Sequence, residues 1–266
     1  MDEHLSVWDI GAPEPCPEPF NLAAYVLACA GQVPDRIALQ VVRPAGAERW
    51  SYARLADAVR GTGAGLLALG LRPGDRVLMR LGNTVDFPVA FLGAIAAGLV
   101  PVPTSSQLTA PEVERIADEI RPALIVAAPD VAVPGAPACP VLGLEELRAL
   151  RSHAPCTWDM GPADRLAYLI YTSGTSGRPR AVAHAHRAIW ARRMMHEGWY
   201  GLREGDRLMH AGAFNWTYTL GTGLMDPWSV GAQALIPAEG VTPAQLPLLL
   251  KRFDATIFAA APGVYR

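Results

Sequence analysis

The chain has no surplus of charge: 23 basic side chains against 25 acidic ones leave a formal net charge of −2 over 266 residues. So weak a field excludes general affinity for nucleic acid or an anionic membrane, and any anion site must be local. Cysteine is scarce. Cys16, Cys29, Cys139 and Cys156 show no CxxC spacing, which argues against a disulfide frame or a thiolate metal centre and fits reduced thiols in the cytoplasm. Long apolar runs are missing too. Residues 87–103 carry no charge, but Pro88, Gly93, Gly98, Pro101 and Pro103 interrupt them, so a buried helix leading into a buried strand fits better than a membrane span. The opening Met-Asp-Glu-His has no basic stretch leading into an apolar core, so no export signal is expected. There is no internal repeat, no low-complexity tract, and no Ser/His/Asp or paired-carboxylate pattern.

What is present is 51% hydrophobic residues, enough for a large core, arranged in alternating strand-like and helix-like segments. Strands are expected at 37–42, 76–81, 100–103, 124–127, 166–171, 181–184, 207–210, 233–236 and 256–259, and helices at 22–30, 52–69, 85–97, 111–119, 187–196 and 243–252. Thr109 with Glu112 forms a capping-box signal for the helix at 111–119. This is an α/β class of fold, with layered sheets flanked by helices. The Pro-, Ala- and Gly-rich stretch 128–164, broken by one short helix at 144–151, marks a boundary between subdomains 1–160 and 161–266.

The most informative stretch is 171–182, YTSGTSGRPRAV. Gly174 and Gly177 can take positive φ and turn backbone N–H groups inward, Thr172, Ser173, Thr175 and Ser176 add hydroxyls, and Arg178 and Arg180 add positive charge. The apolar run 166–171 before it reads as a buried strand, so the loop hangs from a rigid element, as a polyphosphate-binding loop should. A plain surface turn is the alternative. It is not a Walker loop, since no Gly is followed at the right spacing by Gly-Lys-Ser/Thr.

Three other features are weighed against bland readings. Gly63 opens a GxGxxA match, but it sits late in a helical pattern rather than after a strand, so close helix packing is the better reading. His184 and His186 alternate as metal ligands might on a strand, yet no third ligand is visible, which favours His186 as a turn or helix-start residue. Trp216 and Tyr218 would share a face if extended, with Gly212, Gly221 and Gly223 leaving room beside them; planar rings beside open space suit a planar acyl group, and core packing is the alternative. Phe214 has a weaker claim to that pocket, and Trp228 reads as core.

The loop resembles the phosphate-binding signature of the adenylate-forming superfamily, which comprises acyl-CoA synthetases, nonribosomal adenylation domains and luciferases. Those enzymes usually read YTSGTTGxPKGV; here Ser176 replaces a Thr, Arg180 stands where Lys is usual, and Ala181 stands where Gly is usual. Residues 50–83 and 87–103 are similar to the family's opening, and 214–236 most resemble the benzoate-CoA and 2-aminobenzoate-CoA ligases and the medium-chain acyl-CoA synthetases. The resemblance implies the N-terminal part of the large domain of an adenylate-forming enzyme. It further implies ATP and Mg2+ as requirements, coenzyme A as co-substrate, and a small-molecule carboxylate activated to an acyl-adenylate and then to a thioester. Thr172, Ser173, Gly174, Thr175, Ser176, Gly177 and Arg180 would hold the nucleotide, and Trp216, Tyr218 and Gly221 the acid. Family members run to about twice this length, so the chain is expected to be an N-terminal fragment, with the catalytic Lys and the mobile C-terminal domain beyond Arg266, and to be inactive alone. A noncatalytic nucleotide-binding remnant and an enzyme loading a carrier protein remain as alternatives.

Overall fold

A computed structural model describes residues 11–172 and 179–265. Strand β1 (Ile37–Arg43) is buried along most of its length and turns back into the antiparallel β2 (Gly46–Ser51). A second sheet is all parallel and built from β3 (Arg76–Arg80), β4 (Val100–Pro103), β5 (Leu124–Ala127) and β6 (Val141–Leu142), in the order β4-β3-β5-β6. The prolines Pro101 and Pro103 sit in β4, at the edge of this sheet, where a missing N–H leaves no ladder bond unmade. Strands β7 (Leu166–Thr172) and β8 (Arg180–Ala185) form an antiparallel pair of their own, with β7 packed beside β4. Finally β9 (Arg207–Ala211), β10 (Gln233–Pro237) and β11 (Ile257–Ala260) join β1 and β2 in a five-stranded sheet ordered β11-β9-β10-β1-β2. The boundary expected near residue 160 therefore does not separate the sheets, because β1 pairs in parallel with β10. Long-range pairing of this kind leaves no mark on local composition, which is why the Pro-rich stretch misleads.

Helices α1 (Leu22–Val26), α2 (Tyr52–Ala68), α3 (Asp86–Ala96), α4 (Ala110–Ile120), α5 (Leu144–Ala149), α6 (Ala188–Tyr200), α7 (Asp226–Ser229) and α8 (Leu246–Arg252) cover the sheets. The capping box at α4 is formed: Thr109 N–H and hydroxyl donate to Glu112 Oε2 at 2.8 and 2.7 Å. Helix α3 is buried on every side, which accounts for the lack of charge after its first residue, Asp86. Against it lies the glycine row of α2. A Cβ on Gly63 would stand 2.8 Å from the Gly93 carbonyl and 3.0 Å from Cys156 Sγ, and one on Gly65 2.7 Å from Leu150 Cβ. The GxGxxA match is close helix packing, as expected.

His184 stacks flat on Tyr168 with ring centroids 4.5 Å apart, while His186 lies in the turn before α6 and accepts the Leu22 N–H at 3.0 Å through Nδ1. The two rings serve different neighbours. Among the described residues no helix is long and apolar enough to cross a membrane.

Candidate functional site

The carboxyl ends of parallel strands from both sheets converge on one cleft, the usual ligand position in open α/β folds. Segments following β3 (Leu81, Gly82, Asn83), β4 (Ser105, Ser106, Gln107), β9 (Gly212, Ala213, Asn215, Trp216) and β10 (Ala238, Glu239, Gly240) line a cavity of about 540 Å³. A neighbouring cavity of about 600 Å³ lies under the end of the β7–β8 pair, between Tyr171, Thr172 and Pro179 on one side and Thr104, Glu112, Arg115 and Glu119 on the other. The two share Ser105 and Asn215.

Thr172 and Arg180 face each other across the β7–β8 ladder, both exposed at its open end. The expected nucleotide-binding residues Ser173, Gly174, Thr175, Ser176 and Gly177, with Arg178, lie outside the described residues. Burial, with Glu119 nearby, pushes the Tyr171 phenol above its ordinary value, so it stays a neutral donor at the cavity wall.

The loop 104–108 between the cavities is held from beneath by Arg80, a residue that sequence reasoning missed. Its guanidinium is fully buried and donates to the carbonyls of Ala132 (2.9 Å), Leu108 (3.1 Å), Ser106 (3.4 Å) and Ser105, and to Thr104 Oγ1 (3.2 Å). Burial draws its pKa down to about 10, which still leaves it cationic at neutral pH. Asn83 fastens the opposite wall, donating to the Gly212 carbonyl at 2.6 Å and accepting the Phe214 N–H at 3.0 Å. Its place just past the end of a parallel strand was a usable signal for a site residue; Arg80, one of many arginines, had none.

The acid-binding candidates are dispersed. Trp216 lines the 540 Å³ cavity and is 58% exposed, whereas Tyr218 opens onto a separate depression of about 250 Å³ with Trp199, Tyr200, Thr222, Phe258 and Tyr265. The extended geometry expected for 216–218 is corrected by the structure: a helical turn starts at residue 217 and runs into a π-helix, Thr219–Met225. π-Helical segments are rare and frequent at functional sites. Nor do the glycines leave open space. A Cβ on Gly221 would meet the Arg192 guanidinium at 2.5 Å, and one on Gly223 would meet His210 at 2.8 Å. Phe214 is core, its ring tilted against Phe87 with centroids 5.1 Å apart, and Trp228 is buried with its indole N–H donating to the Ala38 carbonyl at 2.8 Å.

Behind Gly221 stands a buried polar network. Asp226 accepts from Arg192 Nε at 2.7 Å and Nη2 at 2.5 Å and from the Tyr200 hydroxyl at 2.6 Å, while Arg192 Nη2 also donates to Thr222 at 2.9 Å. Burial raises the Asp226 carboxyl, but the hydrogen bonds and charge of Arg192, with the Tyr200 hydroxyl, outweigh it and hold the pKa at about 2. With every strong partner inside the network, it braces α6 and α7 rather than offering a free group to a ligand.

The layered α/β body, with a cleft at converging strand ends and a Gly/Ser/Thr-rich segment joining an antiparallel pair beside it, defines a nucleotide-binding enzyme class. The family model for AMP-binding enzymes matches residues 27–266, and the chain belongs to that family. It is 32% identical over 237 residues to the benzoate–CoA ligase of Thauera aromatica, covering 81% of this chain and 44% of that protein. It is also 32% identical to the 4-hydroxybenzoate–CoA/benzoate–CoA ligase of Rhodopseudomonas palustris, covering 81% and 43%. Among solved structures, a benzoate CoA ligase from Burkholderia xenovorans LB400 superposes with a TM-score of 0.78 at 26% identity, over 92% of this chain and 51% of that one. The chain thus spans under half the length of these curated relatives.

Proposed function

We propose that this chain carries the ATP- and acid-binding half-site of an acid–thiol ligase, which activates an aryl or medium-chain carboxylate to an acyl-adenylate with release of pyrophosphate, for transfer to coenzyme A. The observation that carries this reading is the contact between the two cavities: the one under Thr172 and Pro179, the residues that flank the loop in sequence, shares Ser105 and Asn215 with the one lined by Trp216. A triphosphate on the loop and a carboxylate in the cleft would therefore meet at a common wall. In-line attack on the α-phosphate moves negative charge onto the departing pyrophosphate, and fixed donors such as the Thr172 hydroxyl and the Arg180 guanidinium stabilise it without reorganising. No general base is needed, since a carboxylate is ionised at neutral pH. Among the described residues no group of three His, Cys, Asp or Glu side chains could hold a metal ion, so Mg2+ is assigned no residue here; it would arrive as the complex with the nucleotide phosphates. The names of the relatives support coenzyme A as acceptor and an aromatic acid as substrate.

Calorimetric titration of the chain with Mg–ATP and, separately, with benzoate tests the reading. Arg180→Ala should weaken ATP binding by about tenfold, the value of one charge-assisted contact, and leave benzoate binding unchanged. Equal ATP affinity in the two proteins would exclude the β7–β8 end as the phosphate site.

A further inference from the structure

The five N–H groups of the buried Arg80 guanidinium meet five oxygens, and all five belong to uncharged groups. A buried cation met only by dipoles keeps a positive field around it. Its grip also fixes the backbone above it. A peptide group is planar and trans, so its N–H points opposite to its C=O. With the carbonyls of Ser105 and Ser106 drawn down onto Arg80, the N–H groups of Ser106 and Gln107 are turned away from the core. Gln107 N–H is taken by Ser105 Oγ at 3.2 Å, and Leu108 N–H returns to the Ser105 carbonyl at 3.2 Å, closing a β-turn over 105–108. Among the described residues, Ser106 N–H and the Ser105 hydroxyl proton are left with no protein acceptor. Ser106 is exposed and lines the 540 Å³ cleft, and Ser105 lines both cavities.

We propose that Arg80 is a positioning residue that presets the turn 105–108 as a cradle for one anionic oxygen, held by the Ser106 N–H and the Ser105 hydroxyl at the wall the two cavities share. This rests on the acid-activating reading above, in which a carboxylate and a triphosphate meet at that wall. Both groups on offer are donors, so the ligand class is a carboxylate or phosphate oxygen. A carbonyl that accepts from a cation polarises its own peptide group, which strengthens the N–H on the other side. Glu239 lines the cleft, and Glu112 and Glu119 outnumber Arg115 in the neighbouring cavity. Net charge there draws no anion by itself. Selection therefore rests on directed donors, which Arg80 holds in place before the ligand arrives.

Calorimetric titration of the chain with benzoate, Mg–ATP and coenzyme A, alongside 1H–15N spectra of the Ser106 amide, tests this and separates a carboxylate from a phosphate source. At least one of the three should move the Ser106 amide proton downfield, the mark of a hydrogen bond to an anion. Ser106→Pro should weaken each ligand that does so by about tenfold and leave the others unchanged. Proline suits the second position of a β-turn, so the turn persists without the N–H. Arg80→Lys keeps the charge but brings three donors to five oxygens, and should weaken the same ligand selectively. Binding with no movement of the Ser106 amide, or full affinity for all three in Ser106→Pro, overturns the cradle and leaves the ligase reading standing. Equal weakening of all three by Arg80→Lys overturns the positioning role. Failure to bind any of the three overturns both readings. Should Arg80→Lys not fold, the Ser106 amide and Ser106→Pro decide alone.

Discussion

His186 shows how one buried side chain sets a pH dependence. It is 2% exposed, accepts the Leu22 N–H at 3.0 Å, and has its pKa pushed down to about 3 by burial and by the nearby Arg165 charge. In the unfolded chain its pKa returns to about 6.5. Between these values the unfolded state binds a proton that the folded state refuses, so stability is whole above pH 6.5 and falls as pH drops, by about 1.4 kcal/mol per unit. His210, at about 4, adds a parallel loss over most of the same window. Asp226, whose pKa is about 2, keeps its ion pair throughout it. Urea unfolding should therefore show a loss of several kcal/mol between pH 7 and pH 5, and His186→Asn, which keeps an acceptor for Leu22, should remove about half of that slope. A flat profile over this range would contradict the burial of both rings as neutral groups.

At the scale of elements, the packing of α2 on α3 depends on absent side chains. Alanine in place of glycine inside a helix gains up to ~1 kcal/mol of propensity, but at Gly63 the new Cβ would press on the Gly93 carbonyl, and overpacking of this kind costs about 1–3 kcal/mol. Gly63→Ala should be destabilising. Gly198, inside α6, has nothing within 4 Å of the same position, so Gly198→Ala should stabilise by up to ~1 kcal/mol. Denaturant midpoints of the two variants give opposite shifts if backbone contact decides, and shifts of one sign if propensity does.

Across the whole molecule, two exposed tryptophans make a controlled comparison. Trp216 lines the cleft and Trp199, 71% exposed, lines the separate depression. Trp216→Ala should weaken acid binding by an amount matching the loss of apolar contact, about 1–3 kcal/mol, with Mg–ATP affinity unchanged, and Trp199→Ala should alter neither; titrations of both variants with benzoate and Mg–ATP check this. If Trp216→Ala weakens ATP instead, the ring belongs to the nucleotide cavity. The five-stranded sheet also ends at β11, a terminal strand in its order, beside exposed Tyr265. Unpaired strand edges recruit further strands, so sedimentation should show self-association of the chain that grows with concentration; a monomer at all concentrations would mean the edge is protected.

Most strands and helices could be read from local pattern because periods of two and 3.6 residues depend only on neighbours in sequence: β4 and β5 fall where expected, and α2, α3 and α4 lie within a residue or so of their expected bounds. The loop at 171–182 was visible for the same reason, since its glycines, hydroxyls and arginines are contiguous. Tertiary structure alone decided the rest. It brought β1 beside β10, and so joined regions that composition divided at residue 160. It turned 216–218 into the start of a helix, which sent Trp216 and Tyr218 to different cavities. It also aimed Arg80 at loop carbonyls and packed His210 and Thr219 directly against Gly212. Such roles depend on what arrives from distant segments, and a side chain's own neighbours in sequence carry no record of that.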